Sequence, residues 1–254
     1  MMRAMRFDII TIFSKVFDSY FNESILKRAR ANKLVDIRVH NLRDFSADKK
    51  PRTRASTVRG RRQKVDDKPY GGGAGMVLMA EPILRAVERL GIRNQELGIR
   101  GKKKTKIVVL SAKGKQFNQK LAHDWSKKYE RLTLITGRYE GIDERVKVIL
   151  KAEEISIGPY VLTDGDVAAM VVISAVSRLI PGVIKLESLE EESHWNLLLK
   201  SEASAADGKG LEYPHYTRPE ALTYRGKKYR VPKLLLSGAH KKIALWRKAK
   251  IVKK

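Results

Sequence analysis

The sequence contains no cysteine and no long apolar run. Without cysteine the chain can form no disulfide, no thiolate zinc site and no catalytic thiol. The absence of cysteine fits a reducing compartment, and we expect a cytoplasmic location. The best apolar run, residues 167–176, is too short to span a bilayer and is flanked by Asp166 and Arg178. With no signal-peptide pattern at the N-terminus, we expect no association with a membrane.

Acidic residues are also scarce relative to basic ones. The chain has 53 Lys and Arg against 28 Asp and Glu, a formal net charge of +25. The excess is clustered: residues 49–68 hold nine basic and two acidic residues, and twelve basic residues but no acid follow Glu220. Clusters of this kind favour a polyanion partner, because binding releases the counterions of each neutralised phosphate. Nucleic acid is therefore favoured over the alternative of a merely solvated basic surface.

Apolar strand-like segments alternate with segments of helical periodicity along the first part of the chain. This alternation predicts an α/β fold with a parallel sheet and helices on both faces. The predicted strands are residues 6–13, 36–40, 107–110, 132–135 and 155–157, and the predicted helices are residues 15–31, 81–90, 117–128, 142–150 and 167–179.

Composition divides the chain into three parts. Residues 1–184 carry the α/β pattern and form the main predicted domain. Residues 185–212 are acidic and then small and polar, which is typical of a linker. Residues 213–254 form a small basic element that we expect to be mainly helical, near residues 241–248 in particular.

Several familiar ligand motifs are absent. The segment PYGGGAGM, residues 69–76, lacks the glycine spacing of a dinucleotide fingerprint and does not follow a strand. A pliable backbone that approaches a ligand or a partner chain closely is the better interpretation. The sequence has no P-loop, and its five histidines are scattered without the spacing of metal ligands, so no metal site is predicted.

Three loops remain as candidates for a binding site. They are residues 110–114, 137–141 and 157–162, and each follows a predicted strand. In open parallel sheets ligands bind outside the carboxyl ends of the strands. The loops offer glycines, backbone groups and apolar side chains but few cations, which suits an apolar, uncharged ring better than a polyphosphate. Three ordinary strand–helix turns are the alternative.

At these loops the sequence resembles the bacterial tRNA (guanine-N1-)-methyltransferase family of the SPOUT class. The matching segments occur in family order and cover nearly the whole chain. They are ITIF, VDDKPYGGGAGM, GRYEGIDERV, SIGPYVLTDGD, SRLIPGV, EYPHYTRPE, VPKLLLSGAHKKI and LWR.

The resemblance implies that the C-terminal part of the α/β domain is tied in a deep trefoil knot. It implies a homodimer with the active site between the subunits, and S-adenosylmethionine held by the three loops. The reaction implied is methylation of N1 of the guanine immediately 3′ of the anticodon in tRNA. It also allows a divalent ion such as Mg²⁺. The cofactor-binding residues implied are Leu110, Ser111, Gly137, Tyr139, Glu140, Gly141, Ile157, Gly158, Pro159, Tyr160, Val161 and Leu162.

The chemistry implied requires a base and a cation. Guanine N1 carries a proton that a carboxylate must remove as the methyl group arrives, and a cation stabilises the negative charge that develops on the base oxygen. By resemblance the cation is Arg178, which could otherwise be an arginine at a favourable helix end. Glu192 is the nearest match to the general base of the family, and Asp207 is the alternative.

The sequence departs from the family pattern at several places. Asp164 replaces a usual glycine, Pro159 a frequent aspartate and Ala112 a frequent proline. Residues 51–63 and part of residues 195–209 look like insertions, and by the resemblance we expect the C-terminal RNA-binding element to be abbreviated. Our hypothesis is that the additional Lys and Arg residues partly replace the lost RNA surface.

Two other functions are compatible with these residues. One is a different SPOUT methyltransferase that acts on ribosomal RNA or on a ribose hydroxyl. The other is a non-catalytic basic RNA-binding protein that retains a knotted scaffold.

Overall fold

A computed structural model of the chain describes residues 4–47, 63–92, 104–185, 188–189 and 213–250. Most of the basic segment 51–63 and most of the predicted linker, with Glu192 and Asp207, lie outside the described residues. Contacts between Cα atoms divide the chain into a first unit, Met1–Ile184, and a second unit, Lys185–Lys254. None of the helices in the described ranges has the length and apolar character needed to cross a membrane.

Strands and helices alternate in the first unit. Its described strands are β1 (Met5–Thr11), β2 (Val35–Asn41), β3 (Asp66–Asp67), β4 (Val77–Leu78), β5 (Thr105–Gln116), β6 (Arg131–Thr136) and β7 (Glu153–Ser156). Its described α-helices are α1 (Asp18–Phe21), α2 (Ser24–Ala31), α3 (Ala80–Arg89), α4 (Gln119–Lys128), α5 (Glu144–Leu150) and α6 (Asp166–Ser177). Short 3₁₀ helices occupy Ser14–Phe17 and Leu42–Phe45.

Five of the strands form one sheet in the order β2-β1-β6-β5-β7. Every pairing between neighbouring strands in it is parallel, which confirms the predicted parallel sheet. The two short strands β3 and β4 pair with each other antiparallel. Because parallel strands end at one edge of the sheet, the segments that follow β5, β6 and β7 come together there.

The sheet has a core on each face. Side chains alternate along a strand, so Phe7 and Ile9 of β1 enter one core and Ile10 enters the other. The first core includes residues of α1, α2, α4 and α6, and the second includes residues of α3 and α5. Helix α6 is apolar on nearly all sides, as expected of a helix packed deep in the domain.

Two predicted elements differ from the structure. The helix predicted over residues 15–31 is broken into a 3₁₀ turn, α1 and α2, and Ser24 after the break has a φ of 48° that a regular helix does not accept. The segment 110–114, predicted as a loop, lies within β5. Both Leu110 and Lys115 pair with Ile155, so residues 111–114 bulge out of the ladder between them.

The second unit contains a hairpin that the prediction of a mainly helical element missed. Strands β8 (Ala221–Tyr224) and β9 (Lys227–Arg230) pair antiparallel around Arg225 and Gly226. These two residues have φ values of 49° and 74°, as a tight two-residue hairpin turn requires. A 3₁₀ turn (Lys233–Leu236) and helix α7 (His240–Lys250) follow. None of the residues described in 213–250 is classed as buried.

Candidate active site

A cavity of about 440 Å³ opens at the carboxyl ends of β5, β6 and β7. Its walls come from the bulge of β5, from the loop after β6 and from the loop between β7 and α6. All the residues that the resemblance implies for cofactor binding line it, except Gly158 and Pro159. They are Leu110, Ser111, Gly137, Tyr139, Glu140, Gly141, Ile157, Tyr160, Val161 and Leu162.

The loops after β6 and β7 pack backbone against backbone. The Gly165 amide donates a hydrogen bond of 2.8 Å to the carbonyl oxygen of Gly137. A Cβ atom on Gly165 would lie 2.8 Å from the nitrogen of Gly137 and 3.1 Å from the Cα of Thr136. No side chain fits there without moving backbone, so the close approach of the two loops requires glycine at position 165.

Gly158 shapes the cavity without lining it. The Ser156 hydroxyl donates to the Gly158 carbonyl oxygen at 2.8 Å and accepts from the Gly158 amide at 3.2 Å. The Tyr160 hydroxyl donates back to the carbonyl oxygen of Ile157 at 3.3 Å. These bonds curl the third loop, leaving Tyr160 and Val161 53% and 85% exposed beside the cavity. A ligand with an apolar part could cover both side chains.

The three cations in the cavity wall are paired with carboxylates. Lys113 lies 3.0 Å from Glu144 and 3.7 Å from Glu154. Lys147 contacts both of the same carboxylates, the second at 3.2 Å. Arg138 pairs with Asp164. Because each cation already has an anionic partner, the wall is better suited to an uncharged or zwitterionic ligand than to a polyphosphate.

Arg138 connects the second and third loops. Its Nη1 lies 3.2 Å from Oδ2 of Asp164, and its guanidinium stacks 4.4 Å from the ring centre of Phe13. Asp164 Oδ1 in turn accepts hydrogen bonds from the backbone amides of Asp166 (2.9 Å) and Val167 (3.3 Å) at the start of α6. The aspartate that departs from the family glycine therefore joins the two loops to the helix.

Asp166 is a second carboxylate behind the cavity, and only 3% of it is exposed. The Thr11 hydroxyl donates to its Oδ1 at 2.7 Å. Burial raises the pKa of Asp166, while hydrogen bonds with Thr11 and Thr136 oppose that rise. Asp166 thus ties the start of α6 to the ends of β1 and β6.

The glycine-rich segment 69–76 packs against the second loop. The Glu140 amide donates to the Met76 carbonyl oxygen at 3.0 Å, and the Leu78 amide donates to the Gly141 carbonyl oxygen at 3.0 Å. Gly75 has a φ of 82°, and any Cβ there would collide with the side chain of Glu140. The group that the backbone of Gly75 approaches within the chain is the side chain of Glu140, and the expected approach to a ligand or a partner chain stays a prediction.

Tyr139 is held in the left-handed region with a φ of 57°. Desolvation and a hydrogen bond with Asp66 raise the pKa of its hydroxyl. The bond connects the second loop to β3, where Asp66 pairs with Leu78. A strained residue fixed from two sides is typical of a functional site.

Arg178, which was predicted for the chemistry, does not line this cavity. Arg178 caps the C-terminal end of α6, whereas the N-terminal end of α6 adjoins the cavity through Gly165 and Ala168. Twelve helical residues span about 18 Å. Glu192 and Asp207 lie outside the described residues.

The sequence suggested that Arg138 holds the neighbouring loops. It did not predict Asp164 as the partner of Arg138, the buried carboxylate of Asp166 or the ion pairs of Lys113 and Lys147. For Asp164 and Asp166 the sequence did contain a signal, because these two aspartates lie on either side of a glycine at the start of a predicted helix. Within the described ranges no three His, Cys, Asp or Glu side chains converge to hold a metal ion.

A parallel α/β domain with an open cavity at its strand ends defines a ligand-binding α/β protein. A sequence profile described as tRNA (Guanine-1)-methyltransferase TrmD matches residues 5–254. The chain belongs to this family.

Three relatives illustrate the similarity, each named tRNA (guanine-N(1)-)-methyltransferase. The protein from Thermomicrobium roseum is 48% identical over 96% of this chain and 78% of its own length. That from Carboxydothermus hydrogenoformans is 46% identical over 96% of this chain and 81% of its own. That from Dictyoglomus turgidum is 45% identical over 98% of this chain and 86% of its own.

Proposed function

We propose that the protein methylates N1 of the guanine immediately 3′ of the anticodon in tRNA, using S-adenosylmethionine. Family membership supports guanine-N1 methylation of tRNA. The relatives are named for that activity, and the match with this chain covers most of their length. The cavity at the ends of β5, β6 and β7 is the observation that carries the cofactor assignment.

The cavity fits the cofactor in size and in character. About 440 Å³ lies within the range of sites for small molecules. The apolar side chains of Leu110, Ile157 and Val161 would contact the adenine ring, and backbone groups near Gly137 and Gly141 would bind its polar edge. When bound, S-adenosylmethionine supplies a methyl group on a sulfonium. The role of this wall is to bind and orient it and to exclude water.

The chain must also remove a proton from guanine N1. We assign this step to Glu192, with Asp207 as the alternative, because a carboxylate is a base of suitable strength and reach. Arg178 would stabilise the negative charge that develops on the guanine oxygen. The resemblance also allows a divalent ion such as Mg²⁺, and among the described residues no group of three His, Cys, Asp or Glu side chains could hold one.

The position of Arg178 supports a homodimer. Arg178 lies one helix length from the cavity of its own chain. Direct contact between a cavity and an Arg178 side chain would therefore need the cavity of one subunit and the Arg178 of another.

An apolar face of the chain is suited to such a contact between subunits. Val167 and Val171 of α6 are 48% and 41% exposed, and Val16, on the 3₁₀ turn that packs against α6, is 44% exposed. Exposed apolar neighbours of this kind mark an interaction surface.

The trefoil knot of the family is part of the proposal. The close contacts among the three segments support it: the β5 bulge returns to pair with Ile155 of β7, and Gly165 lies on the backbone of Gly137. These contacts hold the cavity walls together whether or not a ligand is bound. A domain with its strand-end loops fastened in this way is pre-organised for a small ligand.

Mapping the methylated nucleotide tests the proposed activity. After incubation with labelled S-adenosylmethionine and a tRNA transcript that has guanine 3′ of the anticodon, we expect one labelled nucleotide, N1-methylguanine, at that position. A matched transcript with adenine there should accept no methyl group. Label on a ribose, or on ribosomal RNA in place of tRNA, would identify a different SPOUT activity. Cofactor binding without transfer to any RNA would contradict the enzymatic assignment.

Two isosteric variants test the general base. Glu192→Gln should lower kcat by about 10²- to 10⁴-fold, the usual contribution of general acid–base catalysis. Asp207→Asn should leave kcat within a few-fold, and both variants should bind S-adenosylmethionine as the parent does in calorimetry. The reverse pattern would move the role to Asp207, and full activity in both would remove both residues from the chemistry.

A further inference from the structure

The hairpin β8–β9 of the second unit presents two different faces. Paired residues of an antiparallel hairpin project to the same side, and every second residue of a strand shares a face. Leu222 pairs with Tyr229 and Tyr224 pairs with Lys227, so these four form one face. We call it the tyrosine face.

The other face is formed by Ala221, Thr223, Lys228 and Arg230. It carries two cations and no aromatic ring. We call it the control face, because it lies on the same two strands, carries positive charge and lacks rings.

The apolar side chains of the tyrosine face are open to solvent. Leu222 and Tyr224 are each 58% exposed, and Tyr229 is 49% exposed. An isolated two-stranded hairpin is marginally stable in water, so its exposed apolar side chains would gain more from burial against another molecule. Three exposed apolar side chains on so small an element indicate a surface that another molecule covers.

Cations flank both rings. The guanidinium of Arg225 lies 5.3 Å from the ring centre of Tyr224, and the ammonium of Lys227 lies 5.5 Å from that of Tyr229. The sequence has no acidic residue after Glu220. A surface of uniform positive charge with exposed rings is complementary to a polyanion that has flat, stackable groups, and RNA is such a polymer.

The open rings favour unpaired RNA. Tyr224 and Tyr229 are diagonal neighbours on one face of the hairpin, a relation in which the backbones of two residues are roughly 7–8 Å apart. Each exposed ring can stack on a base that has left the helix, whereas a duplex hides the faces of its bases.

We infer that the tyrosine face binds unpaired nucleotides of the tRNA substrate, with bases on Tyr224 and Tyr229 and phosphates beside Arg225 and Lys227. The inference rests on the proposed function for the identity of the RNA. It adds which surface of the second unit contacts RNA and which kind of nucleotide that surface takes. These residues bind substrate and take no part in methyl transfer.

The first experiment measures the affinity of the full-length protein for an unmodified tRNA transcript by fluorescence anisotropy at several salt concentrations. Tyr224→Leu and Tyr229→Leu keep apolar bulk but remove the flat ring. Each should weaken binding about fivefold or more, the usual loss for one stacked base. The slope of affinity against salt should stay unchanged, because no cation is lost. Tyr224→Phe and Tyr229→Phe keep the rings and should bind like the parent.

Charge variants separate the two faces. Arg225→Gln with Lys227→Gln should reduce the salt slope by about 1.4, which corresponds to two contacts with single-stranded phosphates. Lys228→Gln with Arg230→Gln removes the same charge from the control face and should change the slope much less. Equal losses from both pairs would show that only net charge matters, and would overturn the inference.

A measurement on the parent protein removes any dependence on how the variants fold. Photocrosslinking to the tRNA should attach nucleotides to a peptide containing Tyr224 or Tyr229, and the attached nucleotides should be unpaired ones. A blunt RNA duplex of similar length should compete poorly. Attachment elsewhere only, or equal competition by the duplex, would overturn the inference. So would loss of self-association in the leucine variants with unchanged RNA affinity, because the face would then bind a second copy of the chain.

Methylation assays distinguish this inference from the proposed function. If both hold, the leucine variants raise KM for tRNA with kcat and S-adenosylmethionine affinity near the parent values. If the parent methylates tRNA and the variants keep its KM, the inference fails while the function stands. If the parent methylates no RNA but the variants still lose affinity for tRNA, the function fails while the RNA surface stands.

Discussion

The two units of the chain differ in how much they bury and in how their charges are balanced. The first buries two apolar cores on either side of a parallel sheet, and the cations around its cavity are paired with carboxylates. In the second, none of the residues described in 213–250 is classed as buried, and its sequence past Glu220 has no acid to pair with twelve basic residues. The first unit surrounds its cavity with paired charges, and the second unit carries an excess of basic residues that suits a polyanionic partner.

This difference indicates which unit is suited to a small ligand and which is suited to RNA. A preformed cavity with paired charges has little to gain from a polyanion and can hold a small ligand without rearranging. An exposed basic surface gains by releasing counterions from RNA and depends on salt for that reason. Changes in the first unit should therefore affect stability and cofactor binding, and changes in the second should affect RNA binding.

The largest effect is expected for Gly165→Ala in the first unit. The new methyl group would meet backbone of Thr136 and Gly137, which cannot yield as a side chain can. We expect a loss of about 3 kcal/mol in the free energy of unfolding, near the top of the range for overpacking. Cofactor affinity in calorimetry should fall at least about tenfold, since 1.4 kcal/mol corresponds to a factor of ten.

Gly238→Ala is the matched control in the second unit. Gly238 has a φ of 67°, and a Cβ there meets nothing within 4 Å, so only local strain of roughly 1–2 kcal/mol is expected. Cofactor affinity should stay at the parent value. An equal loss of cofactor affinity in both variants would break the separation between the units.

An effect of intermediate size is expected at Asp8, which is fully buried in β1. Burial alone would raise its pKa. Hydrogen bonds with His40, Arg6 and Arg131, together with the charge of Arg131, outweigh burial and lower the pKa to about 2. A folded-state pKa below the ordinary value of 3.8 stabilises the fold by about 2 kcal/mol at neutral pH.

That contribution is present above pH 4 or so and is lost as the pH falls through about 2. Asp8→Asn should remove it at every pH, so that acid titration of stability, followed by urea unfolding, becomes flatter. Asp36→Asn, at a partly exposed aspartate that pairs with Arg38 of the same strand, β2, should change stability by less than about 0.5 kcal/mol. A parent-like acid profile in Asp8→Asn would refute the assignment.

The smallest effect is expected at the pair between Arg138 and Asp164. Both side chains are partly exposed, so Asp164→Asn should cost about 0.5–1 kcal/mol, or about two- to fivefold in cofactor affinity. The difference should shrink at high salt, because screening weakens the pair in the parent. Glu81→Gln, which breaks an exposed pair with Arg85 on α3, should leave cofactor affinity unchanged. If the loss of cofactor affinity in Asp164→Asn does not depend on salt, it comes from the hydrogen bonds of Asp164 to the start of α6 and not from the ion pair with Arg138.

The sequence was informative where local pattern and burial agree. The alternation of apolar strand-like segments with helical segments predicted the parallel sheet. The loops that follow the predicted strands were expected to meet at one edge of that sheet. The continuation of β5 past Gly114 was not predictable, because its last residues pair with β7 some 40 positions later, as Lys115 does with Ile155. Such pairing depends on tertiary contacts that no local window contains.

The hairpin of the second unit was missed for a different reason. Its strands are exposed on both faces, so they lack the alternation of apolar and polar residues that marks a half-buried strand. Only the Arg225-Gly226 turn carried a signal. The assignment of Arg178 to the chemistry remains a prediction, since the structure of one chain places it at the far end of α6 from the cavity.

The order of strands in the sheet has a consequence for synthesis of the protein. Strand β1, next to the edge strand β2, pairs on its other side with β6, and Arg6 and Arg131 in that pairing are 125 positions apart, 131 minus 6. While the chain emerges from the ribosome, β1 has only β2 as a partner, and its other edge stays open until β6 has been made. An open apolar strand edge invites association with other chains. The nascent protein should therefore need protection by chaperones until more than half of it has been translated.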